Sequence, residues 1–387
     1  MSCKLLIDGN SMINTVACAS LYNATDTDFA RPFYKELDRY VIKGKAEEYY
    51  KEIIFKYFYN ILHSLNYIDN VYFCFDKVSW RKFYYKKYKD LFINRPDYDK
   101  ISDGYKSNRK IDNDKKEQVS ELVKYISNNI IYNLSLCVKG INFVSVEGLE
   151  GDDIIAYLTY KFKKDNDVFI WSNDSDLHQL LDNNVCILGP NDKKTLRRKM
   201  FTIEGRKENT QQKENIYDFL SENNAFLPSS FDNIIKTLSD RFYNNYEVNP
   251  TYELFTKILC GDKSSDNIFP CYSFSRNGKI VNVTKAKVSD IVYNSLKEKY
   301  SDTEILNKID IKDKDLLNLI AQQIFDIFSL EDIKEIEEIK KGLEFNITMI
   351  RLAENIIPKE LTIFIDRMID NNTKVNIEEY KSYTKIL

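Results

Sequence analysis

Four short apolar runs, at 4–7, 71–75, 141–146 and 168–171, are separated by stretches whose apolar residues recur every three or four positions. This alternation constrains the fold more than any other feature of the chain. Helical periodicity is clearest at 46–65, 117–131 and 154–162. Strand, helix, strand, helix predicts a mostly parallel sheet with helices on its faces, an α/β class. Residues 186–188 add a further strand and 200–203 an edge strand. The pattern changes after about 205. Residues 206–250 are polar and Asn-rich, punctuated by Pro228 and Pro250, and read as an insertion or connector. From 251 the periodicity is helical. The expected division is 1–205, 206–250 and 251–387.

Each apolar run stops on acid. The first ends in Asp8 and the second in Asp76. The third runs into Glu147, Glu150, Asp152 and Asp153, and the fourth into Asp174 and Asp176. In a parallel sheet the carboxyl ends of the strands share one edge, and ligands bind in the crevice outside it. Four strands would thus deliver Asp8, Asp76, Glu150, Asp152, Asp153, Asp174 and Asp176 to one place. Singly, each has a modest explanation: Asp152, Asp153 or Asp174 as a helix N-cap, Asp8 before Gly9 as a turn residue. Together they would repel one another, and a cation removes the conflict. Oxygen-only ligands favour a hard ion, Mg²⁺ or Mn²⁺. Two such ions about 4 Å apart suit in-line phosphodiester cleavage.

Composition narrows the alternatives. At 387 residues the chain has room for two or three domains. No apolar stretch is long enough for a membrane span, and no signal peptide is read at the N-terminus, so a cytoplasmic protein without membrane partners is expected. The seven cysteines are scattered without a CxxC pair, and the only histidines are His63 and His178. A zinc site or a Ser–His–Asp triad is poorly supported. The net charge is −3, yet residues 77–116 hold thirteen Lys/Arg against six Asp/Glu, with eight aromatic residues interleaved. That mixture suits single-stranded nucleic acid, gripped by phosphate contacts and base stacking; a solvated lysine-rich helix pair is the plainer reading. Downstream, the sequence KILCGDKSSDNIF at 257–269 places Asp262 and Asp266 around a tight turn, which a Gly C-cap followed by an Asp N-cap also explains.

The blocks LIDGN (6–10), FCFD (73–76), EGLEGDD (147–153), SNDSD (172–176) and GDKSSDN (261–267), in this order, resemble the 5′-nuclease superfamily. That group comprises flap endonucleases, the 5′-exonuclease domains of bacterial DNA polymerases and phage 5′-exonucleases; the T-even phage RNase H type is the member most resembled. SWRK (79–82) and YKSNRK (105–110) are similar to its helical arch, and ENIIPKEL (354–361) to its C-terminal helical part. The resemblance implies a PIN-like α/β core, a helical arch at about 77–117, and a helix–three-turn–helix element around 251–285 that grips duplex. It implies that Asp8, Asp76, Glu150 and Asp152 or Asp153 hold a first metal, and that Asp174, Asp176 and one or both of Asp262 and Asp266 serve a second. It implies that Lys106 and Arg109 reach the scissile phosphate. K⁺ at the helix–three-turn–helix element is a further implied ion.

Three departures stand against the family pattern. Ser264 and Ser265 widen the spacing between Asp262 and Asp266. Trp80, Arg81 and Lys82 lie far ahead of Tyr105 and Lys106, which leaves Lys89 as a competing arch lysine. Residues 205–250 exceed the usual connector. The candidate nucleic-acid-binding set is Trp80, Arg81, Lys82, Lys86, Lys87, Lys89, Tyr105, Lys110 and Lys263. The expected function is Mg²⁺-dependent 5′→3′ cleavage of branched or nicked duplexes, 5′ flaps and RNA primers on DNA, in replication or repair. A single-strand-binding protein, a clamp and a polymerase are the candidate protein partners. The rival readings are a metal-stabilised junction-binding protein without catalysis and a PIN-type single-strand ribonuclease.

Overall fold

The computed structural model describes residues 2–19, 21, 27–36, 39–65, 68–107, 113–191, 197–205, 235–236, 238–240, 242–263 and 266–369. It divides into two compact units, each built from non-contiguous stretches. One comprises Met1–Lys77, Ile111–Val248 and Glu360–Leu387; the other comprises Val78–Lys110 and Asn249–Lys359. The linear division at 205 and 251 is therefore replaced by an interleaved one. The basic segment after Lys77 leaves the first unit for the second, and the chain returns at Ile111.

The first unit is organised by a seven-stranded sheet. Its strands are β1 (Ser2–Asp8), β2 (Asn70–Cys74), β3 (Ile141–Val144), β4 (Asn166–Trp171), β5 (Val185–Asn191), β6 (Arg198–Ile203) and β7 (Tyr243–Val248). They lie in the order β3-β2-β1-β4-β5-β6-β7. The first five are parallel, β6 runs antiparallel to β5, and β7 is parallel to β6. Leu5, Leu6 and Ile7 of β1 are fully buried, as a central parallel strand covered on both faces requires. On one face, the Gly151–Phe162 helix sets Phe162 against Tyr72. On the other, the Gly44–Ser64 helix packs Phe58 on Phe73 and Tyr57 on Trp171.

The four strands that end on acid form where the apolar runs place them. Residues 200–203 do not form an edge strand. β7 pairs outside β6 along its whole length, from Arg198 opposite Tyr243 to Ile203 opposite Val248. Part of the expected connector is thus sheet. Tyr243 and Val248 are buried while Asn245, Tyr246 and Glu247 face outward, so only the strand's two ends supply an apolar signal. Residues 206–234 lie outside the described residues.

The second unit has its own core. Tyr85, Phe92 and Ile101 of the basic segment pack with Leu254, Phe255, Ile258, Leu343 and Phe345. Its helices include Trp80–Tyr88, Pro250–Cys260, Asp290–Lys297, Lys314–Phe328 and Lys334–Ile350. Between the Pro250–Cys260 and Asp290–Lys297 helices lie a tight turn and a β-hairpin, Ser273–Arg276 with Lys279–Asn282. The expected helix–three-turn–helix is therefore interrupted by a hairpin.

Candidate metal centre and nucleic-acid-binding residues

In the sheet order, β1 and β4 are neighbours whose crossovers lead away in opposite directions, to β2 and to β5. That is the switch point where an open α/β sheet leaves a crevice. Asp8 is the last residue of β1, and Asp174 lies three residues beyond the end of β4.

Asp8 is held from two sides. One carboxylate oxygen accepts the Ser11 backbone N–H at 2.9 Å, which makes Asp8 the N-cap of the Gly9–Ile13 helix. The other accepts the Ser172 hydroxyl at 2.8 Å. The same hydroxyl oxygen accepts the Asp174 backbone N–H at 3.0 Å, so one side chain ties β1 to the turn after β4. Asp174 caps its own short helix, Ser175–Leu180, by accepting the Asp176 N–H at 2.8 Å. Asp176 occupies the first turn of that helix.

Asp76 receives two donors at 2.6 Å, the Asn10 side-chain amide and the Gly151 backbone N–H. Glycine at 151 leaves room for this approach: a Cβ there would crowd the Asp76 carboxylate at 3.0 Å and the Cys74 carbonyl at 3.2 Å. Gly9 is constrained more tightly still, because its Cβ would fall 2.3 Å from the Phe75 ring.

Glu150, Asp152 and Asp153 form a second group, whose ligand oxygens all lie within 4.8 Å of one another. The N-cap of the Gly151–Phe162 helix is Glu150, not Asp152 or Asp153, and Asp153 completes a reciprocal capping box with it. Asp153 is fully buried and Glu150 nearly so. Asp76, bonded to Gly151, connects this group to Asp8.

The electrostatics report the crowding. Burial first, then the Asp76 charge and more weakly that of Asp174, push the Asp8 carboxyl up to about 7, against the pull of Ser11 N–H and Ser172 O–H. Asp8 is only part-buried as a residue, but its carboxylate is hemmed in by protein. Among the described residues, no lysine or arginine pairs with Asp8, Asp76 or Asp174. A divalent cation fits these acids: the donors are all oxygen, the charges of Asp76 and Asp174 act on Asp8, and the ligand oxygens of Glu150, Asp152 and Asp153 lie within one coordination span.

The remaining candidates lie in the second unit. Asp266 accepts from the Tyr105 hydroxyl at 3.1 Å and lies 3.7 Å from the Lys106 ammonium; its backbone carbonyl accepts the Lys106 N–H at 2.9 Å. Asp262 lies 3.8 Å from the Lys257 ammonium. Both acids are thus matched by lysines of their own unit. Arg81 corrects the expected nucleic-acid set. It is 1% exposed and its Nε donates to the Met349 carbonyl at 3.0 Å, so it anchors its helix instead of facing solvent. Trp80 stacks on that guanidinium at 4.8 Å. Lys82, Lys86, Lys87 and Lys263 are exposed, and Lys89 and Tyr105 are part-buried. Arg109 and Lys110 lie outside the described residues.

Sequence reasoning missed Ser172, Asn10, Ser11 and Gly151. Only their place inside the acidic blocks, or directly after one for Ser11, pointed to them. Ser172→Ala removes the donor to Asp8 and the acceptor for Asp174 together. Calorimetric titration is expected to show Mn²⁺ affinity reduced by about tenfold or more, with Ser172→Thr restoring it. Unchanged affinity would make the hydroxyl incidental.

With this geometry in view, residues 4–209 match the family model for the 5′-3′ exonuclease N-terminal resolvase-like domain. The chain belongs to that family, a family of phosphodiester hydrolases. It is 28% identical over 200 residues to a 5′-3′ exonuclease of Mycoplasmopsis pulmonis (strain UAB CTIP); the match takes in 50% of this chain and 56% of that protein, so the chain spans about half the length of the curated relative it matches. Among solved structures it is similar to bacteriophage T5 5′-exonuclease with bound zinc (TM-score 0.49, 14% identity, 95% of this chain and 98% of that one). It is also similar to a bacteriophage T5 flap endonuclease variant in a pseudo-enzyme-product complex with DNA and metal ions (TM-score 0.47, 13% identity, 98% and 99%). Among the described residues, no helix is long and apolar enough to cross a membrane.

Proposed function

We propose that this chain is a structure-specific 5′→3′ nuclease that hydrolyses phosphodiester bonds in 5′ flaps and in RNA primers on DNA, akin to the T-even phage RNase H type and serving replication or repair. The observation that carries the reading is the convergence of Asp8, Asp76 and Asp174 at the switch point, with no lysine or arginine among the described residues paired to them and the Asp8 carboxyl pushed up to about 7. Asp8, Asp76, Glu150, Asp152 and Asp153 would hold one divalent ion, and Asp174 and Asp176 would contribute to a second.

Bound divalent ions supply activation of water and stabilisation of the departing oxygen. The chain's own residues do the rest. Ser172 and Asn10 fix the carboxylate orientations by donating to Asp8 and Asp76. Lys106 exchanges the Asp266 carboxylate for a substrate phosphate, and Arg109 joins it there; two cations at a phosphate stabilise charge that grows in the transition state. The lysines and aromatics around the Trp80–Tyr88 helix grip the single strand, and the second unit's other helices hold duplex.

The test is incubation of 5′-flap DNA with the protein in Mg²⁺ and, separately, in chelator, with a 5′-labelled RNA–DNA hybrid alongside. Product released only with Mg²⁺ is the expected result. Binding without product in both conditions would favour a junction-binding protein, and cutting confined to unstructured RNA would favour a single-strand ribonuclease.

A further inference from the structure

The GDKSSDN turn belongs to the second unit, and its neighbours there show what it builds. The Asn267 side-chain amide donates to the Gly104 carbonyl at 2.8 Å and to the Ser107 hydroxyl at 2.9 Å. Asp266 holds Tyr105 and Lys106 as described above. The Tyr85 hydroxyl donates to the Ile101 carbonyl at 3.0 Å and lies 3.4 Å from the Asn267 carbonyl. The turn therefore clamps residues 104–107 in place.

The clamped loop forms one wall of a pocket of about 430 Å³ within the second unit. The Tyr85 and Tyr105 rings, 6.3 Å apart, line it together with Phe83, which is 66% exposed. Lys82, Lys86 and Lys89 line it as well. Their spacing of four and three puts all three on one face of the Trp80–Tyr88 helix and the turn that follows it. One acid, Asp103, shares the rim, so cations outnumber anions.

We propose that this pocket takes the 5′-terminal, phosphorylated nucleotide of a single strand, the base on the aromatic residues and the terminal phosphate on the lysines. Three arguments support this ligand. The volume is at the small-ligand end of binding sites, enough for one nucleotide and not for a run of them. An aromatic base fits a pocket lined by tyrosine and phenylalanine rings. Three ammonium groups against one carboxylate exceed what an internal diester's single charge requires, whereas a terminal monoester carries about −1.5 to −2 near neutral pH. The proposal rests on the nuclease reading only in taking single-stranded nucleic acid as substrate.

The test is fluorescence anisotropy of single-stranded oligothymidylates of equal length, one with a 5′-phosphate and one with a 5′-hydroxyl, in chelator so that neither is cut. The 5′-phosphorylated strand is expected to bind about tenfold more tightly, and Lys82→Ala with Lys86→Ala to erase the difference. Both lysines are exposed, so the fold should tolerate the change; an unaltered melting curve checks this. Equal affinity for the two strands, or a preference that survives the double variant, overturns the pocket assignment. The flap assay separates the two ideas: cutting in Mg²⁺ without a phosphate preference keeps the nuclease and discards the pocket, and a preference without cutting does the reverse.

Discussion

Asp8→Asn is expected to lower Mg²⁺-dependent cleavage of flap DNA on the order of a thousandfold while leaving affinity for the same DNA in chelator nearly unchanged. The substitution is well matched to the site. Asparagine keeps an oxygen for the Ser11 N–H, and Asn and Asp are equally good N-caps, so the start of the Gly9–Ile13 helix survives. What disappears is the charge. Binding persists because the groups proposed to hold nucleic acid lie in the second unit, on residues other than Asp8. A variant that cuts at the wild-type rate would remove Asp8 from the chemistry, and one that loses binding and cutting equally would assign the acid to docking.

The metal-free protein is expected to lose stability as pH rises from about 4 to about 7, and divalent ions to restore it only on the alkaline side. The sign follows from Asp8. Its folded-state value, about 7, is raised above the ordinary carboxylate value of 3.8. The stabilising contribution of such a group is complete below the unfolded value and is lost as pH passes through the folded one. Three pH units correspond to at most about 4 kcal/mol, at roughly 1.4 kcal/mol per unit. Melting curves at pH 5 and pH 8, with chelator and with Mg²⁺, should show Mg²⁺ raising the midpoint by several degrees at pH 8 and scarcely at pH 5. Asp8→Asn in chelator should melt above the wild type at pH 8. An Mg²⁺-insensitive midpoint at pH 8 would mean that the nest holds no ion.

The strands and their acidic ends were legible because the signal is local: an apolar run that stops on Asp needs no knowledge of its neighbours. The modest reading of those acids does not exclude the functional one. Asp8, Glu150 and Asp174 are helix caps, and Asp8 and Asp174 also act electrostatically on one another, since a strand's carboxyl end is where a helix starts in this fold. Ser172 was not legible, because its importance lies in a bond across 164 residues. Composition also misled in places. It counts Arg81 among the cations but says nothing of burial, and the guanidinium is spent on a backbone carbonyl. Asp266 belonged to an acidic block, yet its contacts are a lysine and a tyrosine of the basic segment. β7 was hidden by outward-facing Asn and Glu in its middle.

The order β3-β2-β1-β4 also has a consequence for synthesis on the ribosome. Asp8 precedes by far the hydroxyl that orients it and the strand that flanks it, which arrive with residues 166–172. A nascent or truncated chain shorter than that has Asp8 and Asp76 but neither β4 nor Asp174. The acidic nest is thus closed by a segment 164 residues downstream of Asp8, and any truncation that removes β4 would leave the proposed site incomplete.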